Sequence, residues 1–130
     1  MTGHLLFTAW DAENPATLSP FVIGEVIRKQ IGFHGLLLTD DLDMEALSGT
    51  VPERAARAVA AGCDIALNCW AKMDDMVGIA QALPTMSAET AARLDRALAG
   101  TVNFSAPVAV SAQMALLEKR DQLLALTQSA

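Results

Sequence analysis

Cysteine is scarce in this 130-residue chain, which holds only Cys63 and Cys69. Two cysteines exclude a disulfide-rich secreted scaffold. If they lie on one strand, they are roughly 20 Å apart, because a strand advances about 3.3 Å per residue, and a disulfide cannot form. Two unpaired thiols are typical of a reducing cytoplasm, and this spacing is not that of a zinc site. We therefore expect a cytoplasmic protein without bound metal.

Basic residues and long apolar runs are also few. Lys and Arg total 9 against 15 Asp and Glu, giving a net charge of −6, and no basic cluster occurs. A nucleic-acid partner is therefore not expected. No apolar run approaches the ~18 residues of a membrane span, and the first residues lack the features of a signal peptide. The hydrophobic fraction of 52% excludes a disordered chain and suffices for one domain with a core.

One stretch stands out, residues 35–44, where a run of leucines stops at two carboxylates. Consecutive apolar residues predict a strand over 35–39, buried on both faces as in a parallel sheet. Acids at the C-terminal end of such a strand occupy the position where α/β folds place ligands and catalytic groups. Strand alternation puts Asp40 on the face of Leu36 and Leu38, while Asp41 points away and can cap the next turn. A catalytic Asp40 and a purely structural pair of acids both remain open at this point.

Strand and helix signals alternate along the chain. Ser19-Pro20 predicts a helix start, and Gly32 predicts its end. Capping and periodicity predict further helices, and short apolar runs predict strands. The strands are expected at 5–7, 35–39 and 63–68, and the later helices at 53–61, 72–83, 88–99 and 111–127. This order predicts an α/β fold with a parallel sheet, as one domain over residues 1–100 and a C-terminal helical tail over residues 101–130.

Three other features are candidates for function. His4 precedes the first predicted strand, where a loop or core histidine is favoured over a ligand role. Cys69 and Trp70 follow the third predicted strand and are interpreted as loop packing rather than as part of a site. Apolar residues recur at helical spacing within residues 72–83, and this stripe predicts a core-facing surface; it comprises Met73, Met76, Val77, Ala80 and Leu83.

Four sequence blocks carry a family resemblance. Residues 1–4 resemble a Met-Thr-Ala-His strand motif, and residues 15–19 resemble a Pro-Ala-Thr/Ser-Leu-Ser helix start. Residues 31–44 resemble Leu-Gly-Phe-x-Gly followed by Ser/Thr-Asp-Asp-Leu-x-Met, and residues 58–64 resemble Ala-x-x-Ala-Gly-x-Asp. These motifs, in this order, are those of glycoside hydrolase family 3, in its bacterial β-N-acetylhexosaminidase branch.

The resemblance implies a fold, a reaction and a substrate. The fold is the C-terminal portion, about strands six to eight with their helices, of a (β/α)8 TIM-type barrel. Asp40 corresponds to the nucleophile of a retaining glycosidase that removes terminal β-linked N-acetylglucosamine. The implied substrates are N-acetylglucosaminides and muropeptides in peptidoglycan recycling, and no cofactor is involved.

The chain also departs from the family pattern. The branch uses a histidine as acid/base, on a His-Gly-Asp-Thr loop upstream of the first block, and neither His4 nor His34 fits that loop. The resemblance therefore implies that these 130 residues are inactive alone and self-associate through unpaired strand edges. The alternative is a non-catalytic truncated fragment with only structural or assembly behaviour. A phosphoacceptor receiver domain is disfavoured, because Asp11 and Glu13 lie in a predicted loop and no predicted strand ends in lysine.

Overall fold

The computed structural model describes residues 1–100 and 109–127, and helices and strands alternate along the chain. A 3-10 turn and a π-helix, π1, precede the first strand. In chain order the elements are the 3-10 turn Ala16–Leu18, π1 Val22–Gln30, β1 Leu38–Asp41, α1 Val51–Ala61, β2 Ile65–Leu67, α2 Met73–Ala82, α3 Ala88–Ala99 and α4 Val110–Thr127. None of the helices described is long and apolar enough to cross a membrane.

The chain separates into two units, Met1–Ala97 and Leu98–Ala130. The first unit holds both strands. In the second unit, α4 covers the helix expected over residues 111–127. The irregular stretch expected after Gly100 lies mostly outside the described residues, as do the last three residues of the predicted tail.

The two strands pair in parallel, which confirms the α/β class. Leu38 is paired with Ile65 and Asp41 with Leu67, with an irregularity between these positions. Beyond the strand end, the Leu42 amide donates to the Leu67 carbonyl at 2.9 Å. Because α1 connects two parallel strands, the C-terminal ends of β1 and β2 lie at the same edge of the sheet. The strand expected at 35–39 is thus shifted to Leu38–Asp41, so that both acids belong to it.

The strand expected at residues 5–7 is absent. Leu5, Leu6 and Phe7 belong to no regular element and are exposed, Leu5 to 63%. The segment contacts its neighbours through single backbone hydrogen bonds, from the Thr2 amide to the Leu38 carbonyl and from the Ala16 amide to the Leu5 carbonyl. An apolar run becomes a strand only where a neighbouring strand supplies a ladder of partners, and the described residues supply none here.

The core lies between one face of the sheet and the helices π1 and α1. Leu37 and Thr39 face this core and are buried, while Leu36, Leu38 and Asp40 share the other face and are half-buried. Alternation along the strand therefore places Asp40 as expected. The core residues are Leu18, Ile23, Leu37, Leu42, Leu47, Ala55, Ala58, Ala61 and Cys63.

Of the apolar stripe expected to face the core over residues 72–83, Leu83 packs against the core, but the expectation is wrong for the methionines. Met73, Met76 and Val77 are exposed, Met73 to 69%. Instead, Ile79 packs against the core, and Gly78 meets α1 so closely that an added Cβ would lie 2.5 Å from Pro52 Cγ. The close approach allowed by this glycine selects the contact face of α2, and the methionines turn outward.

Sequence signals at the helix starts are confirmed. The Ser19 hydroxyl accepts a hydrogen bond from the Val22 amide at 3.1 Å and donates to Asp11 Oδ2 at 2.7 Å. Glu53 Oε2 accepts from the Thr50 amide at 2.8 Å, and Ser87 Oγ accepts from the Thr90 amide at 3.1 Å. Each side chain satisfies backbone N–H groups that a helix start leaves unpaired.

We expect Ser19→Ala to destabilise the first unit by about 1–2 kcal/mol, the upper range for an N-cap, since Ser19 is fully buried. Hydrogen bonds from the Ser19 hydroxyl and then from the Glu13 and Asn14 amides lower the pKa of Asp11 to about 2. The stability linked to Asp11 is present above the ordinary aspartate pKa near ~4 and is lost as the pH falls through 2. In the variant, a ¹³C NMR titration of Asp11 should give a higher pKa.

The matched control is Ser87→Ala, because Ser87 caps α3 from an exposed position. It should cost about 0.5–1 kcal/mol and leave the Asp11 titration unchanged. If urea unfolding shows the same loss of unfolding free energy for both variants, the larger stabilisation expected from Ser19 than from Ser87 is wrong.

Candidate active site

Asp40 is the third residue of β1 and lies half-buried at the C-terminal edge of the sheet. Its Oδ1 accepts a hydrogen bond from the Asp41 amide at 2.9 Å. No described residue donates a hydrogen bond to its Oδ2. One carboxylate oxygen is therefore held by the backbone, and the other has no hydrogen-bond donor among the described residues.

Asp41 has the structural role expected of it. Its Oδ1 accepts hydrogen bonds from the Cys69 amide at 3.0 Å and the Asp43 amide at 3.2 Å. Partial burial raises the pKa of Asp41, but these N–H donors outweigh burial and hold the pKa below its ordinary value. The ionised carboxylate thus caps the turn after β1 and fastens it to the loop after β2.

Asp43 continues this link between the two loops and was not predicted. Its Oδ2 accepts from the Trp70 amide at 3.1 Å. The Trp70 side chain is 68% exposed, with Lys72 Nζ 5.0 Å from its ring centroid, and Ala71 between them has a positive φ of 50°. The spacing of Asp41 and Asp43, two residues apart behind a strand, is the sequence signal for such paired anchors. Cys69 and Trp70 therefore lie at the same sheet edge as Asp40. Their backbone amides hold them there by donating to the carboxylates of Asp41 and Asp43.

His4 lies beside the end of β1. Its Nε2 is 2.8 Å from the Asp41 carbonyl oxygen, and its Nδ1 is 2.9 Å from Thr17 Oγ1. The ring is half-buried. The favoured interpretation, a loop or core histidine, agrees with these contacts, because both nitrogens are occupied by protein atoms.

Two cavities flank the sheet. One, of about 590 Å³, lies at the edge that carries the acids and is lined by Asp41, Asp43, Met44, Glu45, Gly49, Thr50, Val51, Arg54, Trp70, Lys72 and Asp75. Another of about 590 Å³ adjoins Cys63 and Asp64, before β2 begins, and is therefore at the opposite edge. Asp40 is not among the residues that line the second cavity. Catalytic groups of parallel α/β folds lie at the C-terminal edge of the sheet. The second cavity is therefore at the edge whose residues usually serve stability.

Asp64 organises that opposite edge. Its side chain is 2% exposed and accepts hydrogen bonds from Arg28 at 2.8 Å and Arg93 at 2.7 Å. The Leu37 amide and the Thr90 hydroxyl also donate to it, at 2.9 and 3.0 Å. Burial raises the pKa of Asp64, but these four donors outweigh it and lower the pKa overall. Sequence reasoning noted Asp64 only within a motif, since its partners lie far apart in sequence.

Both cysteines are free, as expected. Burial raises the pKa of Cys63 to about 11, and its Sγ lies near the Thr17 carbonyl oxygen. Desolvation and the neighbouring carboxylates of Asp41 and Asp43 raise the pKa of Cys69. A raised pKa keeps a thiol protonated at neutral pH, so neither cysteine is an activated nucleophile. The described residues contain no cluster of three or more potential metal-binding side chains.

Two buried polar atoms near the acid edge have no hydrogen-bond partner among the described residues. They are Arg54 Nε and Asn68 Nδ2. Arg54 is otherwise occupied, because its NH1 donates to the Leu42 and Met44 carbonyls at 2.8 and 3.1 Å. Asn68 directly follows β2, and sequence reasoning did not single it out.

Comparison with known proteins gives consistent results. Residues 1–102 match the family description "Glycosyl hydrolase family 3 N terminal domain". A "Beta-hexosaminidase" of Tolumonas auensis is 45% identical over 71 residues, covering 53% of this chain and 21% of that protein. A "Beta-hexosaminidase" of Chromobacterium violaceum is 33% identical over 129 residues, covering 89% of this chain and 36% of that protein.

The crystal structure of CbsA from Thermotoga neapolitana has a similar fold. It superposes with a TM-score of 0.66 at 27% sequence identity, over 80% of this chain and 26% of that one. The chain thus spans between about a fifth and a third of the length of these relatives. Since the family match covers most of the chain, and includes β1 and β2 with the acids at their edge, the chain belongs to glycosyl hydrolase family 3.

Proposed function

We propose that this chain supplies the nucleophile of a retaining β-N-acetylhexosaminidase, and that Asp40 is that nucleophile. The observation that carries the proposal is the state of its carboxylate at the C-terminal end of β1, with Oδ1 held by the Asp41 amide and Oδ2 without a donor among the described residues. An attacking carboxylate needs one oxygen directed at the substrate and a fixed orientation. The family match and the relatives named "Beta-hexosaminidase" support the reaction class.

The chemistry proceeds in two steps. Asp40 Oδ2 attacks the anomeric carbon and forms a glycosyl ester, while the bond to the leaving-group oxygen breaks and that oxygen takes a proton from an acid. Water then attacks the same carbon, gives a proton to the same group acting as base, and releases Asp40 as a carboxylate. By resemblance to the family, the acid/base is a histidine outside these 130 residues.

We also propose that β1 and β2 are strands seven and eight of a (β/α)8 barrel, with residues 1–7 as strand six. Two features support this arrangement. The face that carries Leu36, Leu38 and Asp40 is only half-buried, although parallel sheets bury both faces. Leu5, Leu6 and Phe7 form an exposed apolar segment beside β1. Further strands would cover both, and without them these surfaces favour self-association.

The substrate class that we propose is a terminal β-linked N-acetylglucosaminide, including muropeptides released during peptidoglycan recycling. The names of the relatives support a hexosaminide. A cytoplasmic location is proposed on the two free thiols, which suit a reducing compartment.

The test uses 4-nitrophenyl N-acetyl-β-D-glucosaminide and two proteins. The 130-residue chain alone should release no nitrophenol above the buffer rate, because it lacks the acid/base. A chimera in which this chain replaces the matching segment of the Chromobacterium violaceum relative should turn over at about 1 s⁻¹ or faster, the usual enzyme range.

The relative with its own segment is the positive control. A folded but inactive chimera, beside an active relative, would favour the alternative of a non-catalytic fragment. Turnover by the 130-residue chain alone, lost in Asp40→Ala, would show that the other strands are not required.

A further inference from the structure

The contact between His4 and Asp41 has a defined direction. The Asp41 carbonyl oxygen, 2.8 Å from His4 Nε2, can only accept a hydrogen bond. His4 Nε2 must therefore carry a proton and donate it. The ring is thus assigned as the Nε2–H tautomer when neutral.

His4 Nδ1 faces the Thr17 hydroxyl, which can form a hydrogen bond with either the neutral or the protonated ring. Thr17 Oγ1, which is fully buried, lies 2.9 Å from Nδ1 and also contacts the Gly3 carbonyl and Thr2 Oγ1, both at 3.0 Å. It can donate to Nδ1 of a neutral ring, or accept from a protonated ring while donating to Gly3. The Nε2–H donor is present in both cases, so the contact with Asp41 does not depend on the protonation of His4.

Asp41 is held on three sides near this contact. Its carbonyl accepts from His4 and, at 3.2 Å, from the Met44 amide. Its carboxylate accepts from the Cys69 amide, and the next amide, of Leu42, donates to Leu67. These bonds fix the backbone of Asp41 and with it the direction of its own N–H. That N–H is the donor that holds Asp40 Oδ1.

We propose that His4 is a positioning residue for Asp40, acting through the Asp41 backbone. Together with the Met44 amide, its Nε2–H holds the Asp41 carbonyl, and so restrains the backbone of the residue whose N–H binds Asp40 Oδ1. A role in catalysis rests on the proposed function, whereas the orientation of Asp40 by His4 does not. His4 is not an acid or base toward substrate, because both ring nitrogens are engaged with protein atoms.

The test uses NMR on the full 130-residue chain and three variants. In His4→Gln the side-chain amide nitrogen reaches the place of Nε2, so it can still donate to the Asp41 carbonyl. In His4→Asn the shorter amide reaches only the place of Nδ1 beside Thr17, and His4→Ala removes both contacts. Three-bond couplings to Asp40 Cγ report whether its χ1 occupies one staggered rotamer or several. Amide exchange at Leu42 reports the order of the adjoining peptide.

We expect a single Asp40 rotamer in the wild type and in His4→Gln, and averaging over rotamers in His4→Asn and His4→Ala. Leu42 amide protection should fall about five- to tenfold in the latter two, the size expected from one hydrogen bond. The ¹⁵N shifts of the wild-type ring should show the Nε2–H tautomer. Urea unfolding separates this role from general stability, since His4→Asn and His4→Gln should unfold at similar midpoints.

Identical Asp40 couplings in all four proteins would overturn the proposal, as would an Nδ1–H tautomer. The same averaging in His4→Gln and His4→Asn would also contradict it. None of these readouts requires Asp40 to be a nucleophile, so failure of the proposed function is detected separately, by activity of an Asp40 variant.

Discussion

Replacing Asp40 by Asn in the active chimera is expected to lower kcat by about 10⁴- to 10⁶-fold, the loss seen when an enzyme nucleophile is removed. The amide is uncharged and cannot form the glycosyl ester, although it fills the same space. The hydrogen bond from the Asp41 amide to the side-chain oxygen can persist, so the fold should be unchanged. Release of nitrophenol from the N-acetylglucosaminide measures the loss.

Added azide sharpens this experiment in the Asp40→Ala variant. A small anion can occupy the space left by the carboxylate and attack the anomeric carbon, which yields an α-glycosyl azide detectable by NMR. The matched control is Glu13→Gln, since Glu13 is an exposed acid that lines neither of the two cavities beside the sheet. This control should keep kcat within about twofold. A variant at Asp40 that retains a tenth of the activity would contradict its role as nucleophile.

The largest effect on stability is expected at Asp64. In Asp64→Ala, Arg28 and Arg93 lose their shared carboxylate while their side chains remain mostly buried, at 14% and 13% exposure, and Arg93 keeps its ion pair with the exposed Glu89. Removing one partner from a buried ion pair typically costs about 3–5 kcal/mol, because the other charge is left uncompensated. That is a large share of the roughly 5–15 kcal/mol that stabilises an ordinary domain. Urea unfolding at neutral pH measures the loss.

The chain offers a matched pair of controls for this prediction. Lys29 forms an ion pair with Glu25 on the same π-helix as Arg28, but both side chains are exposed. Lys29→Ala should cost only about 0.3–0.5 kcal/mol, whereas Arg28→Ala should cost several times more, because it removes one of the two cations that pair with the buried Asp64. Equal losses of unfolding free energy in Arg28→Ala and Lys29→Ala would contradict the role of Asp64 as a buried partner of Arg28.

The contribution of Asp64 also has a defined pH dependence. Its pKa is lowered in the folded chain, so the stability that it provides is complete above the ordinary aspartate pKa near ~4. This stability is lost as the pH falls through the folded pKa, where the carboxylate gains a proton. The difference in unfolding free energy between wild type and Asp64→Ala should therefore narrow from about pH 4 downward. A difference that stays constant down to pH 2 would contradict the lowered pKa.

Local sequence determined the helix starts and the position of the acids. Ser19, Thr50 and Ser87 begin helices as predicted, because each caps amides within three residues and needs no distant partner. The apolar stretch before Asp40 likewise predicted a strand with the acids at its C-terminal edge, although the strand is shifted from 35–39 to Leu38–Asp41. Alternation along the strand was enough to place Asp40 on the half-buried face of Leu36 and Leu38.

Only the tertiary structure decided which surfaces meet. Residues 5–7 had the composition of a strand but form none, since pairing depends on a neighbouring strand and not on the residues themselves. Gly78, by its close approach to Pro52, turned the methionines of α2 to the surface. Asp64 gathers donors from three parts of the chain, and His4 reaches Asp41 across 37 positions. Such contacts are absent from any local pattern, because the energy of a buried charge or hydrogen bond depends on which distant groups the fold brings to it.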